Sequence, residues 1–320
     1  MNKKVFIKSC IRYPGGKSKA LDFLIPHIPL HNIYIEPFIG GGSVFLRLAQ
    51  MHPERDYHIN DLFYPVYCFW KTMDDQCMTM MNYIIQKKEE YIVNRNETIK
   101  KGIATENANN GRKLHQWCRK EIEDAIIQKN EFYTACLWYI LNKTSFSGMS
   151  MIGSYSKLAW DQNFSDKCIF NLPTVSDLMH SVKSLKITNL DYSELLKDTD
   201  KDTFLFLDPP YDIKDNLYGN EGDMHRGFNH SLFMNSVQAC ETPWMITYND
   251  NPFIADRFKN YNCIPWELQY TMKAAKRTET GNLMTDAVKD GRMNTSLKQS
   301  KDSKSDFSGK KGKELLILNY

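Results

Sequence analysis

The stretch NIYIEPFIGGGSVFLRLAQM, residues 32–51, changes character halfway along. Ile33–Glu36 is a short β-branched and aromatic run, three glycines follow at 40–42, and an apolar segment then opens at Ser43. This reads as strand, glycine-rich turn and helix, with Ser43 as a natural N-cap. Working outward, DYHIND (56–61) reads as a second strand ending at Asp61. DTFLFLDPPY (202–211) contains a continuous apolar run of the kind found in strands buried on both faces. WMITYND (244–250) and ELLILNY (314–320) have strand texture, and SLFMNSVQAC (231–240) reads as a helix. Strands alternating with helices predict an α/β fold with a doubly wound, parallel or mixed sheet.

Between Asp61 and about residue 185 the texture is helical. Leu114, Trp117, Cys118, Ile122 and Ile126 fall near helical spacing, and FYTACLWYILN continues the pattern. The expected organisation is an α/β body formed by 1–62 and 186–320, interrupted by a helical insertion at 63–185. The chain has 320 residues, enough for one large domain or two ordinary ones. With 42% hydrophobic and 25% charged residues it has a globular composition, and no apolar run approaches the ~20 residues that cross a bilayer. The expectation is a cytoplasmic protein with no membrane association. Its eight cysteines form no CxxC pair, so reduced thiols, mostly in the core, are expected rather than a metal cage or a disulfide framework.

The net charge is +3, but residues 271–313 carry +6, which leaves the rest of the chain at −3. Either a polyanion partner or a solvated mobile loop accounts for this segment.

Three short motifs carry the chemistry. Gly40-Gly41-Gly42-Ser43-Val44-Phe45 lacks the third glycine of a dinucleotide fingerprint, Phe45 standing in its place, which disfavours NAD or FAD. Asp61, ~20 residues further on, suits a carboxylate accepting from ribose hydroxyls, the alternative being an acid that caps the next helix. RYPGGK (12–17) lacks the first glycine of a phosphate-binding loop, Ile11 occupying that position. Pro14, Gly15 and Gly16 make either a simple turn or a close approach to a ligand, and Lys17 offers a point charge for a carboxylate or a phosphate. Ser18 is positioned to cap a helix that Pro26 must kink or end. In LFLDPPYD, Asp208 stands just beyond the carboxyl end of a buried strand, where open α/β sheets bind ligands. Asp208 and the carbonyls around Pro209 and Pro210 can accept hydrogen bonds from an exocyclic amine, and Tyr211 supplies a flat face for a base.

RYPGGK, EPFIGGGSVF (36–45), HIND (58–61), LNKTSFSGM (141–149), NLDYSELL (189–196), DPPY (208–211), FNH (228–230) and KELLILNY occur in order over nearly the whole chain. Together they resemble the DNA adenine-N6 methyltransferases in which the amino-acid half of the cofactor site precedes the glycine loop. The resemblance implies a Rossmann-like sheet with the helical insertion as target-recognition domain. It implies S-adenosylmethionine as cofactor, held by Tyr13, Gly15 and Lys17 at its amino-acid end, by Glu36, Phe38, Gly40 and Gly42, and by Asp61 at its ribose. Asp191 and Tyr192 would flank its adenine. Asp208 would serve both pockets, and Asp208, Pro209 and Tyr211 would hold a target adenine flipped out of double-stranded DNA. Arg12, Asn142, Lys143, Ser145, Phe146 and Ser147, with Lys298 and Lys310 of the basic stretch, would contact DNA, and no metal is required. Cytosine-N4 methylation and a DNA-binding relative without catalysis are the alternatives. A bacterial or phage source, a cognate restriction endonuclease and a monomer or weak dimer complete these expectations.

Overall fold

TFLFL at 203–207 is buried along its whole length and forms the middle strand of a seven-stranded sheet. The computed structural model describes residues 5–91, 103–197, 202–211, 228–269 and 311–320. Its strands are β1 (Ile33–Glu36), β2 (Asp56–Asn60), β3 (Ser184–Thr188), β4 (Thr203–Leu207), β5 (Trp244–Asn249), β6 (Asn262–Gln269) and β7 (Lys311–Leu318). The described helices are α1 (Leu21–Leu24), α2 (Ser43–Met51), α3 (Tyr64–Asp75), α4 (Cys77–Tyr91), α5 (Ile103–Ile127), α6 (Glu131–Thr144), α7 (Lys157–Asn163), α8 (Asp166–Ile169), α9 (Leu172–His180), α10 (Tyr192–Leu195), α11 (His230–Gln238) and α12 (Pro252–Arg257).

The sheet order is β3-β2-β1-β4-β5-β7-β6. The first five strands in this order pair in parallel, and β7 runs antiparallel to both β5 and β6. This is the doubly wound, Rossmann-like α/β sheet. After β1 the chain proceeds outward through β2 and β3, then returns to β4 on the other side of β1, so the β1/β4 boundary is the point where a crevice opens at the carboxyl ends.

Side-chain alternation builds two cores. Tyr34, Tyr57, Phe204, Phe206, Met245 and Leu316 face one side, and that core runs on through Trp70 of α3, Trp138 of α6 and Met179 of α9. Ile35, Leu205, Leu207, Ile246, Leu315 and Ile317 face the other, under Phe233 and Met234 of α11 and Ile254 of α12. The helices of 63–185 therefore share the sheet's core instead of enclosing a separate one. Five of the eight cysteines are buried and all are free. No described helix is long and apolar enough to cross a membrane.

Two expected caps are corrected. Gly42, not Ser43, is the N-cap of α2, in the left-handed conformation (φ 65°, ψ 22°) that glycine adopts without strain. One of the helix's free N–H groups, that of Phe45, is served instead by Glu36, whose Oε2 accepts from it at 3.2 Å. Ser18 lies inside a 3₁₀ turn, Lys17–Lys19, and α1 begins after Ala20 with no side-chain cap. Pro26 ends α1 as a second 3₁₀ turn, Ile25–His27. Of the basic stretch 271–313, residues 271–310, including Lys298 and Lys310, lie outside the described residues. Lys311–Lys313 belong to β7.

Candidate active site

The glycine turn after β1 is held from both sides. Gly40 has φ 42°, and a Cβ there would stand 2.7 Å from Cε1 of Tyr13; a Cβ on Gly42 would stand 2.5 Å from Cζ2 of Trp70. Trp70 Nε1 donates to the Gly40 carbonyl at 3.0 Å, so α3 fixes the turn it faces. Nothing in the local sequence marked Trp70 for this role, because the contact crosses from another helix.

Two buried acids stand at the ends of β1 and β2. Glu36 Oε2 accepts from the Tyr34 hydroxyl at 2.7 Å as well as from Phe45 N–H. Burial, reinforced by the charges of Asp208 and Asp61, pushes its carboxyl well above the usual range, against the pull of those hydrogen bonds. Asp61 Oδ2 accepts from the Gly40 N–H and Oδ1 from the Phe63 N–H, both at 2.9 Å. Burial pushes Asp61 up to about 6, with the two backbone donors acting in the opposite direction. Asp61 thus ties the glycine turn to the segment that leads into α3, whose N-cap, Phe63, carries no side-chain cap.

The tip of β4 meets the PGGK turn directly. Lys17 Nζ lies 2.7 Å from both carboxylate oxygens of Asp208 and donates to the Gly15 carbonyl at 2.9 Å. The lysine side chain is 3% exposed and that of Asp208 20%. Lys17, read from the sequence as the partner of a ligand carboxylate, is thus paired with Asp208, because the two turns converge on the β1/β4 crevice. Thr247 on β5 donates to Asp208 Oδ1 at 2.8 Å. Tyr211 stacks on Tyr248, with centroids 5.6 Å apart and planes 14° apart, and its hydroxyl donates to Glu314 Oε2 of β7 at 2.6 Å. Tyr248 pairs in turn with His230 Nδ1.

Thr247, Tyr248, His230 and Glu314 were not singled out as site residues in the sequence. The available signal was a polar residue inside an apolar strand: Thr247 in WMITYND, Glu314 in KELLILNY.

An aromatic group lines the neighbouring end of the crevice. Phe38 lies 5.6 Å from Tyr192 and 6.0 Å from Phe228, centroid to centroid. Asp191, expected beside Tyr192 as a ligand group, caps α10 by accepting from Ser193 N–H and Oγ.

The residues assigned to DNA gather where the N-terminal segment meets the end of α6, but several support the loop instead of facing outward. Asn142 is fully buried, accepts from Arg12 N–H at 3.0 Å and donates to the Arg12 carbonyl at 2.6 Å. Arg12 Nη1 donates to the carbonyl of Ser145, itself buried. Lys143 is 6% exposed, and burial lowers its pKa. Phe146 is 49% exposed, and Ser147 adopts φ 53°. Of the described positions in that set, Phe146 presents the most surface.

Glu36, Asp61 and Asp208 bring three carboxyl groups to the strand ends, the last of them paired with Lys17. Carboxyl groups in this position suit a methyl donor with a cationic centre better than a nucleotide phosphate. A glycine turn closed by Tyr13, acids at two strand ends and an aromatic slot at Phe38 fit such a molecule. Among the described residues no group of three or more potential metal ligands occurs.

Fold and site together define a Rossmann-like methyltransferase. The sequence profile of the D12 class N6 adenine-specific DNA methyltransferases matches residues 13–272, and the chain belongs to this family. It is 22% identical to the type II methyltransferase M1.LlaDCHI of Lactococcus lactis subsp. cremoris over 88% of this chain and 94% of that protein. It is 22% identical to the type II methyltransferase M.MjaIII of Methanocaldococcus jannaschii over 64% of this chain and 69% of that protein. The DNA N-6-adenine-methyltransferase of Escherichia phage P1 shares 21% identity over 67% of this chain and 25% of that protein. Family membership decides for adenine N6 over cytosine N4, and gives the enzyme DNA as substrate and a methyl donor as co-substrate.

Proposed function

We propose that this enzyme moves the methyl group of S-adenosylmethionine to the N6 amine of an adenine flipped out of double-stranded DNA. The observation that carries the reading is the contact between Lys17 and Asp208, which joins the turn before the glycine loop to the tip that faces the base. S-adenosylmethionine supplies a sulfonium methyl already electrophilic enough to be attacked. Tyr13, Gly15, Lys17, Glu36, Phe38, Gly40, Gly42 and Asp61 bind and align it, with Asp191 and Tyr192 near its adenine. Asp208 and the Pro209 carbonyl accept the two N6 hydrogens and turn the nitrogen lone pair out of conjugation; Tyr211 supports the ring. As the carbon–sulfur bond gives way to the new carbon–nitrogen bond and the thioether leaves, Asp208 would stabilise the positive charge on the amine until its surplus proton passes to solvent, and Lys17 and Thr247 hold the carboxylate in place.

DNA contacts are assigned to Arg12 and to Phe146 and Ser147 in the turn after α6, framed by the buried Asn142, Lys143 and Ser145, with Lys298 and Lys310 adding phosphate contacts that carry no sequence information. The names of the two type II relatives support a cognate restriction endonuclease acting at the same site. A cytoplasmic, bacterial or phage enzyme working as a monomer or weak dimer accords with this reading. The test is direct: S-adenosylmethionine should raise the melting temperature, and a labelled methyl group should then appear on adenine in duplex DNA. Label on cytosine, or on no base, would overturn the assignment.

A further inference from the structure

Glu314 belongs to the last strand, far in sequence from every motif the proposed reaction uses, yet it is 1% exposed and its Oε2 lies 2.6 Å from the Tyr211 hydroxyl. Burial of a carboxyl group is costly unless donors meet it, so a buried Glu at the head of the apolar run Leu315–Leu318 calls for a role. Its register explains the contact. Glu314 pairs with Asn249 of β5 and Trp266 of β6, which places it level with the carboxyl end of β5, beside Tyr248. Tyr211 is thus braced on a ring face by Tyr248 and at its tip by Glu314, and Lys17 Nζ lies 4.9 Å from its ring centroid.

We infer that Glu314 is a positioning residue for methyl transfer, acting through the Tyr211 hydroxyl to hold the ring at the angle at which it supports the target adenine. This rests on the reading of Tyr211 as the adenine platform. A tyrosine ring on a turn bounded by prolines still rotates about χ1 and χ2; a short hydrogen bond from its hydroxyl restricts that freedom. An ill-placed ring leaves the N6 amine out of line with the incoming methyl, a fault felt in the chemical step more than in donor binding.

The test is a double-mutant cycle read by single-turnover methyl transfer on duplex DNA, with donor affinity measured by calorimetry. Tyr211→Phe and Glu314→Leu should each slow transfer about tenfold to a hundredfold, and the double variant should be no slower than either single one. Donor affinity should stay at the wild-type value, and Glu314→Gln, which keeps an acceptor oxygen, should recover most of the rate. Multiplying effects in the double variant, or wild-type transfer by Tyr211→Phe, would overturn the inference. Should Glu314→Leu fail to fold, Tyr211→Phe alone decides it on the same criterion. Tyr211→Ala separates this from the parent reading: if it flips a fluorescent adenine analogue and turns over normally, the adenine platform itself is misassigned. If Tyr211→Ala is impaired while Tyr211→Phe is not, only the role of Glu314 falls.

Discussion

Two aspartates at neighbouring strand ends, Asp61 after β2 and Asp208 after β4, are held in opposite ways. Asp61 is gripped by backbone, one N–H on each oxygen from Gly40 and Phe63. Asp208 is gripped by side chains, the Lys17 ammonium and the Thr247 hydroxyl. Backbone donors are fixed by the fold, so an acid bound to them shapes a loop and moves only with it. Side-chain donors can rotate away, so an acid bound to them can exchange partners when a substrate arrives. On the proposed reading, one carboxylate shapes the crevice that receives the donor and the other takes part in the chemistry.

Four substitutions put that contrast at risk. Asp208→Ala should have the largest effect, lowering methyl transfer about 10²–10³-fold or more in single-turnover assays on protein shown to be folded by circular dichroism; near-wild-type turnover would place the chemistry elsewhere. Lys17→Met should reduce transfer by about tenfold to a hundredfold, the worth of one hydrogen bond to a charged group. Calorimetry sharpens this case: an unchanged donor affinity would leave Lys17 to Asp208 alone, and a loss of donor affinity with an intact chemical step would leave it to the donor alone.

Asp61→Asn should show in stability more than in rate, costing about 1–3 kcal/mol as a backbone N–H loses its acceptor. It also carries a pH signature. Because Asp61 is raised from 3.8 to about 6 in the folded chain, the native state binds this proton more tightly than the unfolded one. Its charged form therefore opposes folding above about pH 6, and that penalty is relieved as pH falls toward 4. Urea titrations across this window should show the Asp61 contribution as a difference: stability should change less favourably in Asp61→Asn than in wild type as pH falls from about 6 to about 4. The smallest effect belongs to Ser43→Ala, which should leave stability within about 0.5 kcal/mol, whereas a true N-cap serine would cost about 1 kcal/mol on removal.

What the sequence made legible follows burial. β1, β2, β4, β5 and β7 lie inside the sheet, and their apolar runs stood out. The two strands that escaped notice, β3 and β6, are its edges. SLKIT has no buried position, and NCIPWELQ carries Pro265, which an edge strand tolerates. The site divides in the same way. Motifs whose members are adjacent, such as DPPY and the glycine turn, could be read directly. The contacts that organise them could not, since Lys17 and Asp208 are 191 residues apart and Tyr211 and Glu314 are 103 apart. Polar residues inside apolar strands were the trace such contacts left.

The position of β7 bears on how the chain is made. β5 is an apolar strand, and the partner on its outer side is β7, whose residues are synthesised only after those of β6 and everything between. At roughly 5–20 residues/s, the ~60 residues from Asn249 to Lys311 take about 3–12 s to add. Throughout that interval the backbone groups of Trp244–Asn249 on that side lack their sheet partner, and an open apolar edge is a template for pairing with another chain. Slow translation downstream of β5 should therefore lower the soluble yield of this enzyme, and a separately supplied peptide of the β7 sequence should compete for the same edge.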